Sequence, residues 1–148
     1  MPPSYPTLFH RWIEEVWNQG RTETIEELFV EGSITHGLSD GEKGPLIGRE
    51  PFKRFYLSRR GAFPDVHIEI QDWTQTEEVV WVRCTIRGTH TGDTLGIPPT
   101  GMKVDLTGVT IAHIQHGKIV ESWNYFDFVP YYVQLGIMEF KRIPYPPQ

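Results

Sequence analysis

The chain has 148 residues, a formal net charge of −5, 39% hydrophobic and 22% charged residues. That length fits one domain able to bury its own core without disulfides or metals, and its single cysteine, Cys84, cannot form an internal disulfide. The acidic balance, with no Lys/Arg cluster, argues against nucleic acid and anionic membrane surfaces as partners.

In chain order, Leu8, Phe9, Trp12, Ile13, Val16 and Trp17 recur at helical spacing and predict an amphipathic helix over residues 5–19, stopped by Gly20. A short second helix follows, capped by Thr22 or Thr24, with Ile25, Leu28 and Phe29 as its apolar side. Residues 32–38 read as a short strand and 37–44 as a loop. A third helix starts near Gly48 and buries Phe52, Phe55 and Tyr56. From residue 65 the apolar period falls to two, as Val66, Ile68 and Ile70 alternate with polar residues. Strands are predicted at 78–90, 102–115 and 118–127, the last pair joined by a His116-Gly117 hairpin. A final short helix at about 129–135 ends at Gly136, and the tail 138–148 reads as extended. Nothing marks a linker, so residues 1–148 are one domain with a core of about 8–137.

Helices followed by an antiparallel meander predict an α+β fold, with helices on one face of a curved sheet. Gly88 and Gly108 inside strands predict bulges and strong curvature. Such a sheet, closed by helices, makes a cone with a hydrophobic pocket. The N-terminus has no apolar leader core and no run of apolar residues reaches membrane-spanning length, so a cytoplasmic protein is expected.

Several fragments occur together in one order. They are Trp17-Asn18-Gln19-Gly20, Ala62-Phe63-Pro64-Asp65, Arg87 to Gly92, Gly96-Ile97-Pro98-Pro99-Thr100-Gly101, Gly117 to Trp123, Asp127, and Gln134-Leu135-Gly136. In this the chain resembles the SnoaL-like polyketide cyclases of the NTF2-like superfamily, over about residues 8–137. The resemblance implies a cone-shaped α+β barrel, a homodimer or homotetramer, and a small hydrophobic carbonyl compound as ligand. It implies an intramolecular aldol condensation without metal or organic cofactor, with an aspartate late in the last strand as acid/base. Asp127 matches that position. Relatives with other reactions, hydroxylases among them, keep the reaction type open.

The residues themselves support a site at one end of the sheet. Counting back from the turns pairs His90 with about Lys103 and Asp127 with about Leu106, which brings both to the same end. Asp127 stands among Trp123, Tyr125, Phe126, Phe128, Tyr131 and Tyr132. Aromatic walls that exclude water disfavour a carboxylate and would tune it as a base; the competing role is a helix N-cap. His90 could steady an enolate or simply bond the loop that follows it. His36 could face the pocket or the surface. Arg83, in a row with Thr110 and Trp123, could bind a carbonyl or pair with a carboxylate. Trp123 and Tyr125 are candidate pocket walls. His113 and His116 lack a third ligand, which argues against a metal site. Cys84 reads as a buried apolar strand residue. A binding domain without catalysis is the first rival reading. Epoxide hydrolysis or oxygenation, with Asp65 and Asp105 near the same sheet end, is the second.

Overall fold

The computed structural model describes residues 4–38 and 44–147; most of the expected 37–44 loop lies outside them. Helix α1 (Leu8–Trp12) is capped by Thr7, whose hydroxyl accepts from the His10 amide, and runs straight into a π-helical segment, Ile13–Asn18. The wider turn shows in the Gln19 amide donating to the Glu14 carbonyl at 2.9 Å. Helix α2 (Thr22–Leu28) leads directly into strand β1 (Phe29–His36). After β2 (Leu46–Ile47) comes α3 (Arg49–Ala62). Strands β3 (His67–Thr76), β4 (Val79–Thr89), β5 (Lys103–Gln115) and β6 (Lys118–Phe126) follow, then α4 (Phe128–Gln134). None of the helices described is long and apolar enough to cross a membrane.

The α+β architecture is as expected. One six-stranded sheet has the order β2-β1-β6-β5-β4-β3. Every pairing is antiparallel except β1 with β6, which is parallel. The chain returns its last strand beside its first because β6 must cover the open edge of β5 while β1 still needs a partner.

Helices α1 and α3 cover one sheet face. Trp12, Phe29 and Phe52 meet there, with Phe29 stacked on Trp12 at 5.5 Å and on Phe52 at 4.8 Å. Each is at most 4% exposed, and burying a side chain of this size is worth about 1.5–3 kcal/mol. The Tyr56 hydroxyl donates to the Val16 carbonyl, locking α3 onto the π segment. Asn18 fixes the helices to the sheet edge: its amide donates to the Ile68 carbonyl and accepts from the Ile68 N–H, as a strand neighbour would. A second cluster, Ala62, Phe63, Val104, Leu106, Tyr131 and Leu135, forms under α4.

The bulges fall elsewhere than Gly88 and Gly108. Strands β4 and β5 pair without a break from Val79↔His113 to Thr89↔Lys103. Gly88 instead receives the Phe63 side chain, and at Gly108 strand β6 comes so near that an added Cβ would lie 2.4 Å from the Phe126 ring. One irregularity lies in β3 between Ile70 and Asp72. The consequential one lies in β6, where Ile114 pairs with Ile119 but His113 pairs with Glu121, leaving Val120 without a partner. Strict alternation from Ile119 would turn Glu121, Trp123, Tyr125 and Asp127 inward. The extra residue reverses this, and Ser122, Asn124 and Phe126 turn inward instead.

Candidate ligand cavity

Between the helices and the concave sheet face lies a cavity of about 100 Å³. Its walls are mostly apolar: Trp12, Phe29, Phe52 and Phe63 from the helical side and β1, and Ile86, Leu106 and Phe126 from the sheet. A small set of polar residues lines it: Thr35, Arg59, Arg87, Thr110, Ser122, Asn124 and Tyr131. An apolar hollow with a few fixed polar groups is the usual form of a small-molecule site.

Each polar group is positioned by an identifiable part of the fold. Thr35 and Ser122 are partners across the β1–β6 pair, and Thr110 and Asn124 across β5–β6. Asn124 is held from both ends. Its Oδ1 accepts from the Thr110 hydroxyl at 2.8 Å, and its Nδ2 donates to the His36 carbonyl at 3.0 Å. Gly37, with φ of 86°, lets the end of β1 close on this residue; a Cβ there would lie 2.0 Å from the Asn124 carbonyl oxygen. Arg59 follows Phe52 and Phe55 on the buried stripe of α3 and lies over the Phe55 ring at 4.7 Å. Burial pulls its guanidinium below its usual pKa, while Tyr131 and Tyr132 act the other way. Burial pushes the Tyr131 phenol up, opposed by the Arg59 charge, so the group stays a hydroxyl donor at neutral pH. Burial also pushes the Cys84 thiol up to about 12, which leaves it an inert part of the wall.

Two of these groups hold unspent hydrogen-bonding capacity. The Thr35 and Tyr131 hydroxyls are buried and have no hydrogen-bond partner among the described residues. An unmade bond at a buried hydroxyl costs about 1–3 kcal/mol.

The six residues singled out from the sequence do not gather in this cavity. Asp127 follows β6 between Phe126 and Phe128, which both line the cavity, but its own side chain is exposed. The dry aromatic setting expected for it is therefore absent, because the Val120 bulge turns the odd-numbered residues outward. It occupies the N-cap position of α4 without making a side-chain cap hydrogen bond. His90 is fully buried, but it sits behind Phe63, whose ring centre is 5.4 Å away. The Thr100 amide donates to its Nδ1 at 3.1 Å, so the neutral ring carries its proton on Nε2. His90 thus organises the 92–101 loop, one of the two roles weighed for it.

His36 and Trp123 do meet, stacked at 5.2 Å, but on the outer sheet face, where His36 Nε2 is 2.7 Å from Glu121. Arg83 pairs with Asp72 at 3.1 Å, both exposed. It is level with Val109 and Tyr125 rather than Thr110 and Trp123: the β4–β5 ladder runs one residue off the counted register, and the bulge in β6 adds one more. Tyr125 is 63% exposed. The two further carboxylates also have other occupations. Asp65 accepts from the Thr89 amide and hydroxyl, and Asp105 pairs with Arg87.

Sequence reading missed Thr35, Arg59, Ser122, Asn124 and Tyr131. The stripe Phe52, Phe55, Arg59 has helical spacing and could have pointed to Arg59. Nothing local distinguishes Asn124 from Trp123 once the bulge is unknown.

The profile of the SnoaL-like polyketide cyclase family matches residues 7–135. Aklanonic acid methyl ester cyclase DauD of Streptomyces sp. strain C5 is 25% identical over 127 residues, which is 85% of this chain and 78% of that protein. The crystal structure of IdmH from Streptomyces antibioticus superimposes with a TM-score of 0.70 at 32% identity, covering 84% of this chain and 93% of IdmH. A SnoaL-like protein from Jannaschia sp. CCS1 shares the fold at a TM-score of 0.77 and 20% identity, covering 94% of this chain and all of that one.

Proposed function

The chain belongs to the SnoaL-like polyketide cyclase family, and from that premise we propose that it closes a ring in a polyketide-like ester or ketone held in the cavity between α3 and the sheet. The observation that carries this reading is an apolar hollow presenting two unspent hydroxyls, Thr35 and Tyr131. Apolar walls favour a flat carbon skeleton, and the hydroxyls are donors suited to its carbonyl oxygens. A donor to a carbonyl stabilises the enolate that forms when the neighbouring carbon loses a proton. That enolate carbon then attacks a second carbonyl of the same molecule, and the new alkoxide takes up a proton.

Asp127 serves in this reading as the acid/base at the cavity rim, between the lining residues Phe126 and Phe128. An exposed carboxylate is a weak base, so the substrate carbon must be acidic in its own right, as it is between two carbonyls. With aklanonic acid methyl ester as the trial substrate, ring closure followed by liquid chromatography and mass spectrometry tests this. Asp127→Asn should lower the rate by about 10²-fold or more. A rate within a few fold of wild type would remove Asp127 from the mechanism.

A second reading, ligand binding without turnover, is favoured by a specific observation. No Asp, Glu or His is among the described residues that line the cavity. Binding of the ester without any product would select it. We also propose a homodimer formed through the outer sheet face, where Trp81 and Tyr125 are 48% and 63% exposed. Light scattering of the purified protein reads the mass directly.

A further inference from the structure

We infer that Tyr131, backed by the Arg59 guanidinium, makes one wall of the cavity an oxyanion site, so that the ligand is a compound with an acidic phenol or enol hydroxyl, bound as its anion. This rests on the cavity being the substrate site and adds the charge state of what enters it.

Tyr131 is 4% exposed, on α4, with its ring packed against Phe63 at 6.0 Å and Phe128 at 6.1 Å. Those contacts, and the neighbouring Leu135, Val104 and Leu106, need only a ring. A phenylalanine would make them as well, without a buried hydroxyl. The hydroxyl is therefore surplus to packing, and it has no hydrogen-bond partner among the described residues. Tyr131 lines a cavity whose walls are otherwise mostly apolar. The cation that acts on it is Arg59, which lines the same cavity from α3 and also acts on Tyr132.

An apolar cavity alone strips water from an anion and favours the neutral form of a bound phenol. A fixed hydroxyl donor and a nearby guanidinium oppose this and favour the anion. The same arrangement would hold the enolate oxygen during ring closure.

The test uses 4-nitrophenol, whose anion absorbs visible light, with 4-nitroanisole as a probe of equal shape that cannot ionise. Bound 4-nitrophenol should titrate at least one pH unit lower than in water, a preference of about tenfold for the anion. Tyr131→Phe should abolish most of that shift while 4-nitroanisole binds within about twofold of wild type. Tyr132→Phe, outside the lining, should keep the shift. A bound phenol that titrates at or above its value in water overturns the inference, as does a lowered value that survives Tyr131→Phe. Either result, with both probes bound, leaves the cavity reading standing. If neither probe binds, the cavity reading fails and this one with it.

Discussion

Inserting an alanine between Glu121 and Ser122 should unfold or nearly unfold the protein, although Glu121 lies on the outer sheet face and is only half-buried. The added residue takes the place opposite Ala112 and rotates everything after it by one face. Asn124 then loses its bonds to Thr110 and to the His36 carbonyl, at about 1 kcal/mol each. Phe126 leaves the cavity wall, which costs about 1.5–3 kcal/mol. Trp123 is forced inward beside Thr110, and overpacking there adds about 1–3 kcal/mol. The sum, about 5–8 kcal/mol, is of the same order as the whole stability of a domain this size. Urea unfolding followed by tryptophan fluorescence and near-ultraviolet circular dichroism measures it. An insertion variant that unfolds cooperatively within about 2 kcal/mol of wild type would refute the reasoning, since the strand would then have absorbed the extra residue in a wider bulge at little cost.

Three further outcomes follow from separate parts of the molecule. Gly108→Ala should lower stability by about 1–3 kcal/mol in the same assay, because its Cβ would lie 2.4 Å from both the Phe126 ring and the Tyr125 carbonyl. Glu15 is buried, which alone would raise its carboxyl, but hydrogen bonds from Arg11 and Thr24 hold it below its ordinary value of 4.5. Its folded pKa is depressed, so the stability it contributes is fully present above about pH 4.5 and is lost as pH falls through the folded value. Glu15→Gln should therefore be less stable than wild type at pH 7, and the gap should close as pH falls below about 4.5. Cys84, buried and with its thiol pushed up to about 12, should react with Ellman's reagent only after denaturant is added; prompt reaction of the native protein would contradict its burial.

The elements and the family were legible because they are repeated many times over. Six apolar residues at helical spacing specify α1 and its π continuation, and the alternation Val66, Ile68, Ile70 marks where strands begin. Counting from the His116-Gly117 turn was correct as far as Ile114↔Ile119. Beyond that point a single unpaired residue inverted the face of every later position. Asp127, Trp123 and Tyr125 were assigned to the interior that Ser122, Asn124 and Phe126 occupy. Nothing in Lys118-Ile119-Val120-Glu121 announces the bulge, because Val120 has as much strand preference as its neighbours. It arises from long-range contacts: β1 joins β6 in parallel and β5 joins it antiparallel, and the two registers meet there. Arg83 and His36 lie outside the cavity for a related reason. Their exposure depends on which sheet face the helices cover, and that is decided by the approach of α1 and α3.

The parallel join of β1 to β6 also sets an order of events during synthesis. Strands β3 to β6 pair with neighbours close in the chain, so that ladder can form as it leaves the ribosome. Strand β1 has only the two-residue β2 beside it until β6 is made, some ninety residues later by the Phe29↔Ile119 pairing. Until then the apolar faces of α1 and β1 have no finished sheet to pack on. The nascent N-terminal third is therefore the portion most exposed to chaperones, and docking β1 is the step that completes the cavity.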